Sequence, residues 1–223
     1  MLMFFACMQS AVRVEGNAPP KGDPKPFIQA CEAQDVTALA LLKAIEETNC
    51  SKGWERLSRA ERIDLTPLDN SPLGALSGMV NLKALTAYGN EISDLTPLKG
   101  LIRMEELYLV SNKIEDLSPL EDMTQLRFLR VDGNKIKDIS VIQHFNHLEM
   151  IGFDQNEISD FRPLEKFELL QGLNTNFNPV DLRTCPVSGK GPPQLHKYCK
   201  RMRKNEGLPE LGELPSEYKG PSQ

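Results

Sequence analysis

The chain has 223 residues, of which 40% are hydrophobic and 26% are charged, and its formal net charge is −5 at pH 7. This length suffices for one domain with short tails. The acidic balance argues against nucleic acid as the main partner, because a phosphate backbone requires a basic surface. No apolar run approaches the roughly 18 residues that a membrane-spanning helix needs, so composition predicts a soluble globular protein.

Residues 1–26 are predicted to be the remnant of an export signal followed by a flexible tether. Cys7 follows the short apolar run MLMFFA, which resembles the end of a lipoprotein signal whose cysteine becomes lipidated. A basic segment before this run is absent, and the run is shorter than the apolar region of an ordinary signal. The alternative is a disordered N-terminus with one unpaired thiol.

Residues 27–59 are predicted to form a helical cap before the repeats. The segment from Asp35 to Thr48 carries apolar residues at helical spacing. These residues are Val36, Leu39, Leu42 and Ile45. Trp54 and Leu57 follow this helix and are expected in the core of the cap. Such a cap is needed because the terminal unit of a repeat array otherwise exposes its apolar core.

A repeat with a period of 22 residues occupies residues 60–180. Four successive units keep the period without insertion or deletion, and they begin at Leu82, Met104, Leu126 and Leu148. A shortened unit begins at Leu170, and a degenerate first unit begins near Ala60. Such a period indicates a solenoid, in which stacked units share a core that one unit cannot form.

Two apolar columns of the repeat lie two residues apart. The first column contains Leu85, Leu107, Leu129, Ile151 and Leu173, and the second contains Ala87, Leu109, Val131, Phe153 and Thr175. A spacing of two is the period of a β-strand, so each unit is predicted to contribute a short strand with one face in the core.

An asparagine column follows the predicted strands. Its members are Asn90, Asn112, Asn134, Asn156 and Asn178. Where the chain turns after a strand, backbone N–H and C=O groups lose their strand partners, and a buried amide can satisfy both kinds of group. A column of aspartates fits turn chemistry on the opposite side of each unit. It consists of Asp94, Asp116, Asp138 and Asp160. These columns are interpreted as architecture.

The pattern LxxLxLxxNxIxxLxxLxxL resembles the leucine-rich-repeat family in its 22-residue class. It is similar to the repeat domains of bacterial internalins and of the nuclear regulatory subunit of protein phosphatase 1. The resemblance implies a right-handed α/β solenoid with parallel strands on the concave face and irregular or 3-10 segments on the convex face. It also implies repeats that bind proteins and are not catalytic. Leu68 in the asparagine column and Asn70 in the isoleucine column depart from the pattern.

Residues 181–204 are predicted to form a C-terminal cap, and residues 205–223 a disordered tail. The stretch from Leu195 to Lys204 is expected to form a short helix. Its basic residues are Lys197, Lys200, Arg201, Arg203 and Lys204. They are interpreted as a solvated helix face; contact with anionic lipid or nucleic acid is the alternative. The tail is rich in Pro, Gly and Glu and has little to bury.

Four of the five cysteines lie in the two caps. Cys31 and Cys50 bracket the predicted N-terminal helix, and Cys185 and Cys199 bracket the C-terminal loop. Because apolar core is thinnest there, two disulfides in an oxidising compartment are predicted, although the spacing does not fix their connectivity. Free thiols and a metal site are the alternatives, but no C-x2-C pair or Cys/His cluster supports a metal.

Strand residues that alternate with the buried columns are expected on the concave face. Adjacent strands lie about 4.8 Å apart, so side chains from successive units touch. The predicted partner-binding patch consists of Tyr88, Tyr108, Phe128, Met150, Glu106, Arg130, Asp132 and Asp154. Exposed aromatic side chains with a charged rim are typical of protein-binding hot spots. The alternative is that these residues only tile a twisted sheet.

No catalytic, metal or cofactor site is predicted. His144 and His147 lie three residues apart without a third ligand, and His196 is the remaining histidine. The G-x-S-x-G, P-loop and H-E-x-x-H motifs are absent. Asp132 and Asp154 are expected on an open sheet, which provides no pocket to raise a pKa for acid–base chemistry.

The favoured interpretation is a monomeric, non-catalytic protein-binding module that is exported in a bacterium. It would act outside the cytoplasm, in the periplasm, at the outer membrane or at the cell surface, with a membrane tether if Cys7 is lipidated. The second interpretation is an intracellular regulatory subunit of a phosphatase-like enzyme with reduced cysteines. The third is a hydrolase built on the solenoid, which would need a pocket that the pattern does not show.

Overall fold

The computed structural model describes residues 22–66, 72–185 and 190–207, together with the backbone of residues 12–14. Within these ranges the strands are β1 Val12–Val14, β2 Ala60–Asp64, β3 Ala84–Thr86, β4 Glu106–Tyr108, β5 Phe128–Arg130, β6 Met150–Gly152 and β7 Gly172–Asn174. They form one sheet whose order follows the chain. Strands β2 to β7 are parallel, and β1 pairs antiparallel with β2.

Some sequence predictions concern residues outside the described ranges. These residues include Cys7, Leu68, Asn70 and the tail after residue 207. The strand β1 lies inside the segment predicted to be a flexible tether, and the sequence analysis did not predict it.

Every parallel strand pairs with the next one at a register of 22 residues. Leu85, for example, lies opposite Ile63 on one side and Leu107 on the other. The central side chain of each strand from β3 to β6 is fully buried. The structure thereby confirms the predicted α/β solenoid, in which one coil of chain adds one strand to a shared core.

The opposite side of each coil carries a 3-10 turn. In the described part of the chain these turns are Leu73–Leu76, Thr96–Leu98, Ser118–Leu120, Ser140–His144, Arg162–Lys166 and Leu182–Thr184. The predicted aspartate column initiates several of them. Asp94 Oδ1, for instance, accepts a hydrogen bond from the backbone N–H of Thr96 at 2.8 Å, as Asp116 does from Ser118 at 2.7 Å. A carboxylate two residues before the N–H is the usual geometry of an Asx turn.

The asparagine column is buried and joins consecutive coils, as predicted. Asn112 donates from Nδ2 to the carbonyl of Ala87 at 2.8 Å. Its Oδ1 accepts from the backbone N–H groups of Asn90 at 3.0 Å and Ile92 at 2.9 Å. The same donation to the carbonyl 25 residues earlier recurs at Asn134, Asn156 and Asn178. One side chain thus pairs the backbone groups that the turn leaves without strand partners.

The N-terminal cap contains the helices α1 Lys25–Glu32, α2 Val36–Ala44 and α3 Cys50–Leu57. Asp35 and Asn49 cap α2 and α3 by accepting hydrogen bonds from Ala38 N and Lys52 N. Phe27 of α1 is fully buried and lies 6.0 Å from Trp54 of α3, measured between ring centroids. The sequence analysis predicted the middle helix and the buried Trp54 and Leu57 but did not predict α1 or α3.

The predicted apolar face of α2 was wrong in part. Val36 is 58% exposed and Leu39 is 37% exposed, whereas Ala38, Leu41 and Leu42 are buried. Both sets of residues satisfy a helical period, so spacing alone does not select between them. Helix α2 packs against α1, α3 and the 3-10 turn Leu73–Leu76, and the face with Ala38 and Leu41 is the one that becomes covered.

The C-terminal cap contains the helix α4, which spans Pro193–Asn205. Leu195 and Tyr198 bury one side of α4, and the Tyr198 ring meets Phe161 edge-on at 5.9 Å between centroids. Cys185 and Cys199 lie at disulfide distance, with their Cα atoms 6.0 Å apart. Cys31 and Cys50 are paired in the same way in the N-terminal cap, at 5.9 Å. Among the described residues, no helix has both the length and the apolar character to cross a membrane.

Candidate protein-binding face

Three columns of side chains alternate with the buried rows and form the outward face of the sheet, which we call the concave face after the predicted solenoid. The first column is Arg62, Ala84, Glu106, Phe128, Met150 and Gly172. The second is Asp64, Thr86, Tyr108, Arg130, Gly152 and Asn174. The third follows two residues later and is Thr66, Tyr88, Val110, Asp132, Asp154 and Asn176. The observed register therefore places the eight predicted patch residues on the coils of β3 to β6.

The apolar part of the patch crosses this face obliquely. Tyr88 and Met150 are each 39% exposed, and Tyr108 and Phe128 are half-buried. The Arg127 guanidinium lies 5.3 Å from the centroid of the Phe128 ring. Gly172 follows Met150 in the first column, and the methionine side chain lies against the position that a Cβ of residue 172 would take. The result is an apolar ridge that solvent reaches from the open side of the sheet.

Charged groups border the first half of this ridge. Arg62 reaches across the small Ala84 and donates from Nη1 to Glu106 Oε2 at 3.1 Å, two strands away. Burial, and then the nearby Glu106 carboxylate, raise the pKa of Tyr108 above its usual value. Both effects disfavour a phenolate, so Tyr108 presents a neutral hydroxyl next to a carboxylate that is already paired.

Asp132 does not lie exposed as the sequence analysis expected. Its side chain is 10% exposed and accepts from Arg130 Nε at 2.9 Å. It also accepts from the backbone N–H of Asp154 at 3.1 Å. The Asp132 carboxylate can lie here only because residue 152 on the next strand is glycine. A Cβ at Gly152 would lie 2.4 Å from Asp132 Oδ2. Asp132 therefore holds its neighbours in place and offers little surface to a partner.

Asp132 begins a polar row that continues to the C-terminal cap; we call Asp132, Asp154 and Asn176 the polar row. Asp154 Oδ1 accepts from the backbone N–H of Asn176 at 2.6 Å. Asn176 Oδ1 in turn accepts from Arg201 Nη2 of α4 at 2.7 Å. The Arg201 guanidinium also lies 5.5 Å from the centroid of the Tyr198 ring. The helix α4 thus contributes a side chain to the edge of the concave face.

Several members of this face were not predicted from the sequence. Arg62 lies in the first column but was not predicted as part of the site, and its contact with Glu106 spans the small Ala84. A glycine in a column of larger side chains was the available signal for Gly152. Nothing in the sequence pattern indicated Arg201, because the placement of α4 depends on its packing against Phe161 and on the Cys185–Cys199 pair.

The histidines and one groove lie away from the concave face in the described part of the chain. His144 and His147 are exposed, and no group of three or more His, Cys, Asp or Glu in the described ranges could hold a metal ion. A groove of about 480 Å³ lies beside Asp94 and Pro97. Hydrogen bonds from Thr96 lower the pKa of Asp94, which is opposite to the shift that a general acid needs.

The repeats match a known family. Residues 80–122 and 102–144 match a family model described as leucine rich repeats (2 copies). No curated protein matched the chain.

Three solved structures are similar to the chain. An internalin (inlF) from Listeria monocytogenes is 34% identical with a TM-score of 0.47, and the match covers 52% of this chain and 36% of that one. Internalin C2 from the same organism is 23% identical with a TM-score of 0.49, and the match covers 74% of this chain and 92% of that one. A leucine-rich-repeat protein from Leptospira interrogans is 24% identical with a TM-score of 0.45, and the match covers 66% of this chain and 34% of that one. The chain spans little more than a third of the first internalin.

Proteins built on leucine-rich repeats generally act as protein-binding scaffolds and are generally not catalysts. The matched repeats and the register of β2 to β7 together show that this chain contains leucine-rich repeats and folds as a leucine-rich-repeat solenoid.

Proposed function

We propose that the chain is a non-catalytic module that binds a protein partner through its concave face. The observation that carries the proposal is the apolar ridge of Tyr88, Tyr108, Phe128 and Met150, which remains accessible on one side of the sheet. Aromatic and methionine side chains are enriched at the centres of protein interfaces. The charged groups beside the ridge supply the polar rim that such interfaces have.

The test compares three forms of the chain in the capture of proteins from the source organism. The first is the wild type, the second is the double variant Tyr108→Ala and Phe128→Ala, and the third is a convex control, Lys99→Ala and Glu121→Ala. Lys99 and Glu121 form an exposed ion pair beside the 3-10 turns.

We expect the same protein to be captured by the wild type and the convex control but not by the concave variant. Thermal midpoints and far-ultraviolet circular dichroism verify that each form is folded. Capture of that protein by a folded concave variant would contradict the proposal.

Export to an oxidising compartment is the second part of the proposal. The paired cysteines of both caps support it, because disulfides persist outside the cytosol and are rare within it. Cys7 remains a proposed site of lipid attachment. We expect protein purified from its source and denatured without reductant to show one free thiol, or none if Cys7 is lipidated. Five free thiols would instead support the intracellular interpretation.

A further inference from the structure

Two arginine side chains lie at the ends of the polar row on the concave face. Arg130 donates from Nε to Asp132, and Arg201 donates from Nη2 to Asn176. Each of these contacts uses one nitrogen of the guanidinium group and leaves further N–H donors for a ligand. The Arg130 side chain is 38% exposed, and Arg201 is exposed as well. The row therefore presents two oriented guanidinium groups from one surface.

The C-terminal cap adds positive charge beside these two guanidinium groups. Helix α4 carries five lysine and arginine residues and no acidic residue, although the whole chain has a net charge of −5. Lys197, Lys200 and Lys204 are exposed on the helix that holds Arg201. Positive charge is thus concentrated at one end of an otherwise acidic protein, where it attracts an acidic ligand.

We propose that Arg130 and Arg201 bind two carboxylates of an acidic segment in the protein partner, and that Asp132 and Gly152 position Arg130. The inference rests on the proposed function and specifies the chemistry of the ligand at the same face. A planar guanidinium pairs with a carboxylate through two parallel hydrogen bonds, which a lysine cannot reproduce. The basic face of α4 adds longer-range attraction to the same segment.

The geometry favours a protein segment over nucleic acid or a lipid surface. Asp154 lies between the two arginines in the polar row, and it would repel the continuous phosphate charge of a nucleic acid. A peptide can place neutral residues over Asp154 and carboxylates on either side of it. Leu195 and Tyr198 of α4 are buried in the cap and Met202 packs against the core, so the helix offers no apolar face to insert into a bilayer.

The orientation of Arg130 depends on Gly152, which carries no charge. A methyl group at position 152 would lie within 2.4 Å of Asp132 Oδ2 and within 2.8 Å of Oδ1, so the Asp132 carboxylate has to move. We expect this movement to disrupt the hydrogen bond from Arg130 Nε to Asp132 Oδ2, while the charge of the surface stays the same. Gly172 on the next strand provides a matched control, because a Cβ there meets only the flexible Met150 side chain, at 3.1 Å from Cγ and 3.2 Å from Cε.

The experiment uses labelled peptides of glycine and serine that contain two glutamates separated by one, two or three residues, and glutamine versions of each. Fluorescence anisotropy at about 50 mM salt measures their binding to the full chain. We expect at least one glutamate peptide to bind and its glutamine version not to bind. Arg130→Gln, Arg130→Lys and Arg201→Gln should each weaken binding about tenfold, as expected for the loss of a charge-assisted hydrogen-bonded pair. Gly152→Ala should weaken it severalfold, and Gly172→Ala should not.

The charge control is Arg127→Gln, which removes the same charge from the coil of Arg130. Arg127 is paired with Glu149, and we expect its replacement to change binding by less than about twofold. Equal weakening by Arg127→Gln and Arg130→Gln, or full binding by Arg130→Lys, would overturn the proposal. So would tighter binding to double-stranded DNA or to vesicles containing phosphatidylglycerol.

Thermal midpoints of all variants are measured, and the Arg130 and Arg201 variants decide the matter if Gly152→Ala does not fold. The peptide assay needs no native partner. If it fails while protein capture still depends on Tyr108 and Phe128, this inference is removed and the proposed function stands.

Discussion

A single asparagine joins two coils of the solenoid. Asn134 donates from Nδ2 to the carbonyls of Leu109 at 3.0 Å and Val131 at 2.9 Å. Its Oδ1 accepts from the backbone N–H of Ile114 at 3.0 Å. Because Asn134 is only 7% exposed, water cannot replace these partners without opening the core.

Replacement of Asn134 by alanine tests this role. We expect Asn134→Ala to lower the free energy of unfolding by about 1–3 kcal/mol, since buried carbonyl and N–H groups lose their partners. Equilibrium unfolding in urea measures the change. The control is Lys135→Ala at the next, exposed position, which should change stability by less than about 0.5 kcal/mol. Equal stability of both variants would contradict the structural role of the column.

Phe177 occupies a position that neither its backbone nor its environment favours. Its φ is 59°, and the equivalent positions of two other units contain Gly89 and Gly133 with φ of 66° and 67°. Its side chain is 77% exposed. A bulky residue in the left-handed region is strained, and the small buried area gives little compensation.

Replacement of Phe177 by glycine should therefore leave the free energy of unfolding unchanged or raise it, by up to about 1 kcal/mol. The reciprocal variant Gly133→Ala should lower it by about 1 kcal/mol, because alanine disfavours the same backbone conformation. Urea unfolding of both variants checks the pair. A loss of more than about 1 kcal/mol in Phe177→Gly would show that the aromatic ring contributes to stability despite its exposure.

At the scale of elements, the N-terminal cap fits closely against the first coil. Gly78 and Gly100 occupy equivalent positions of successive units, with φ of 85° and 84°. A Cβ at Gly78 would lie 2.6 Å from the carbonyl oxygen of Asp23, which leads into α1, whereas a Cβ at Gly100 meets nothing within 4 Å. The two glycines therefore share a backbone conformation but differ in their neighbours.

This pair isolates the contact between the cap and the repeats. Both Gly78→Ala and Gly100→Ala incur the strain of a left-handed alanine. We expect Gly78→Ala to be more destabilising by about 1–3 kcal/mol, because its methyl group meets backbone that cannot move aside without shifting the cap. Thermal and urea unfolding of the two variants measure the difference. Equal losses would mean that the segment before α1 does not pack on the first coil.

The elements differ in how well the sequence predicts them. Each apolar column of the repeat is sampled in several units, so the inward face of β3 to β6 could be predicted. The helix α2 occurs once, and its sequence allows two apolar faces, one with Val36 and Leu39 and one with Ala38 and Leu41. The choice depends on α1 and α3, which carry no repeated signal. The same limit applies to α4, whose Arg201 reaches the concave face only through tertiary packing.

Across the whole molecule, the solenoid separates the side chains that build the coil from those that lie on its outward face. The inward columns and the asparagine column maintain the coil, and the outward strand columns form the face that we propose for a partner. The sequence predicted this division, and it placed seven of the eight patch residues at positions that solvent reaches. It misplaced Asp132, because the missing side chain of Gly152 lets that carboxylate turn inward against its neighbours.

The most direct test of the concave face is photocrosslinking in the source organism. A benzophenone amino acid replaces Met150, which is 39% exposed on the concave face, or Glu121, which lies beside a convex 3-10 turn. We expect a discrete crosslinked adduct with another protein from position 150 and none from position 121. A discrete adduct from position 121, with none from position 150, would contradict it.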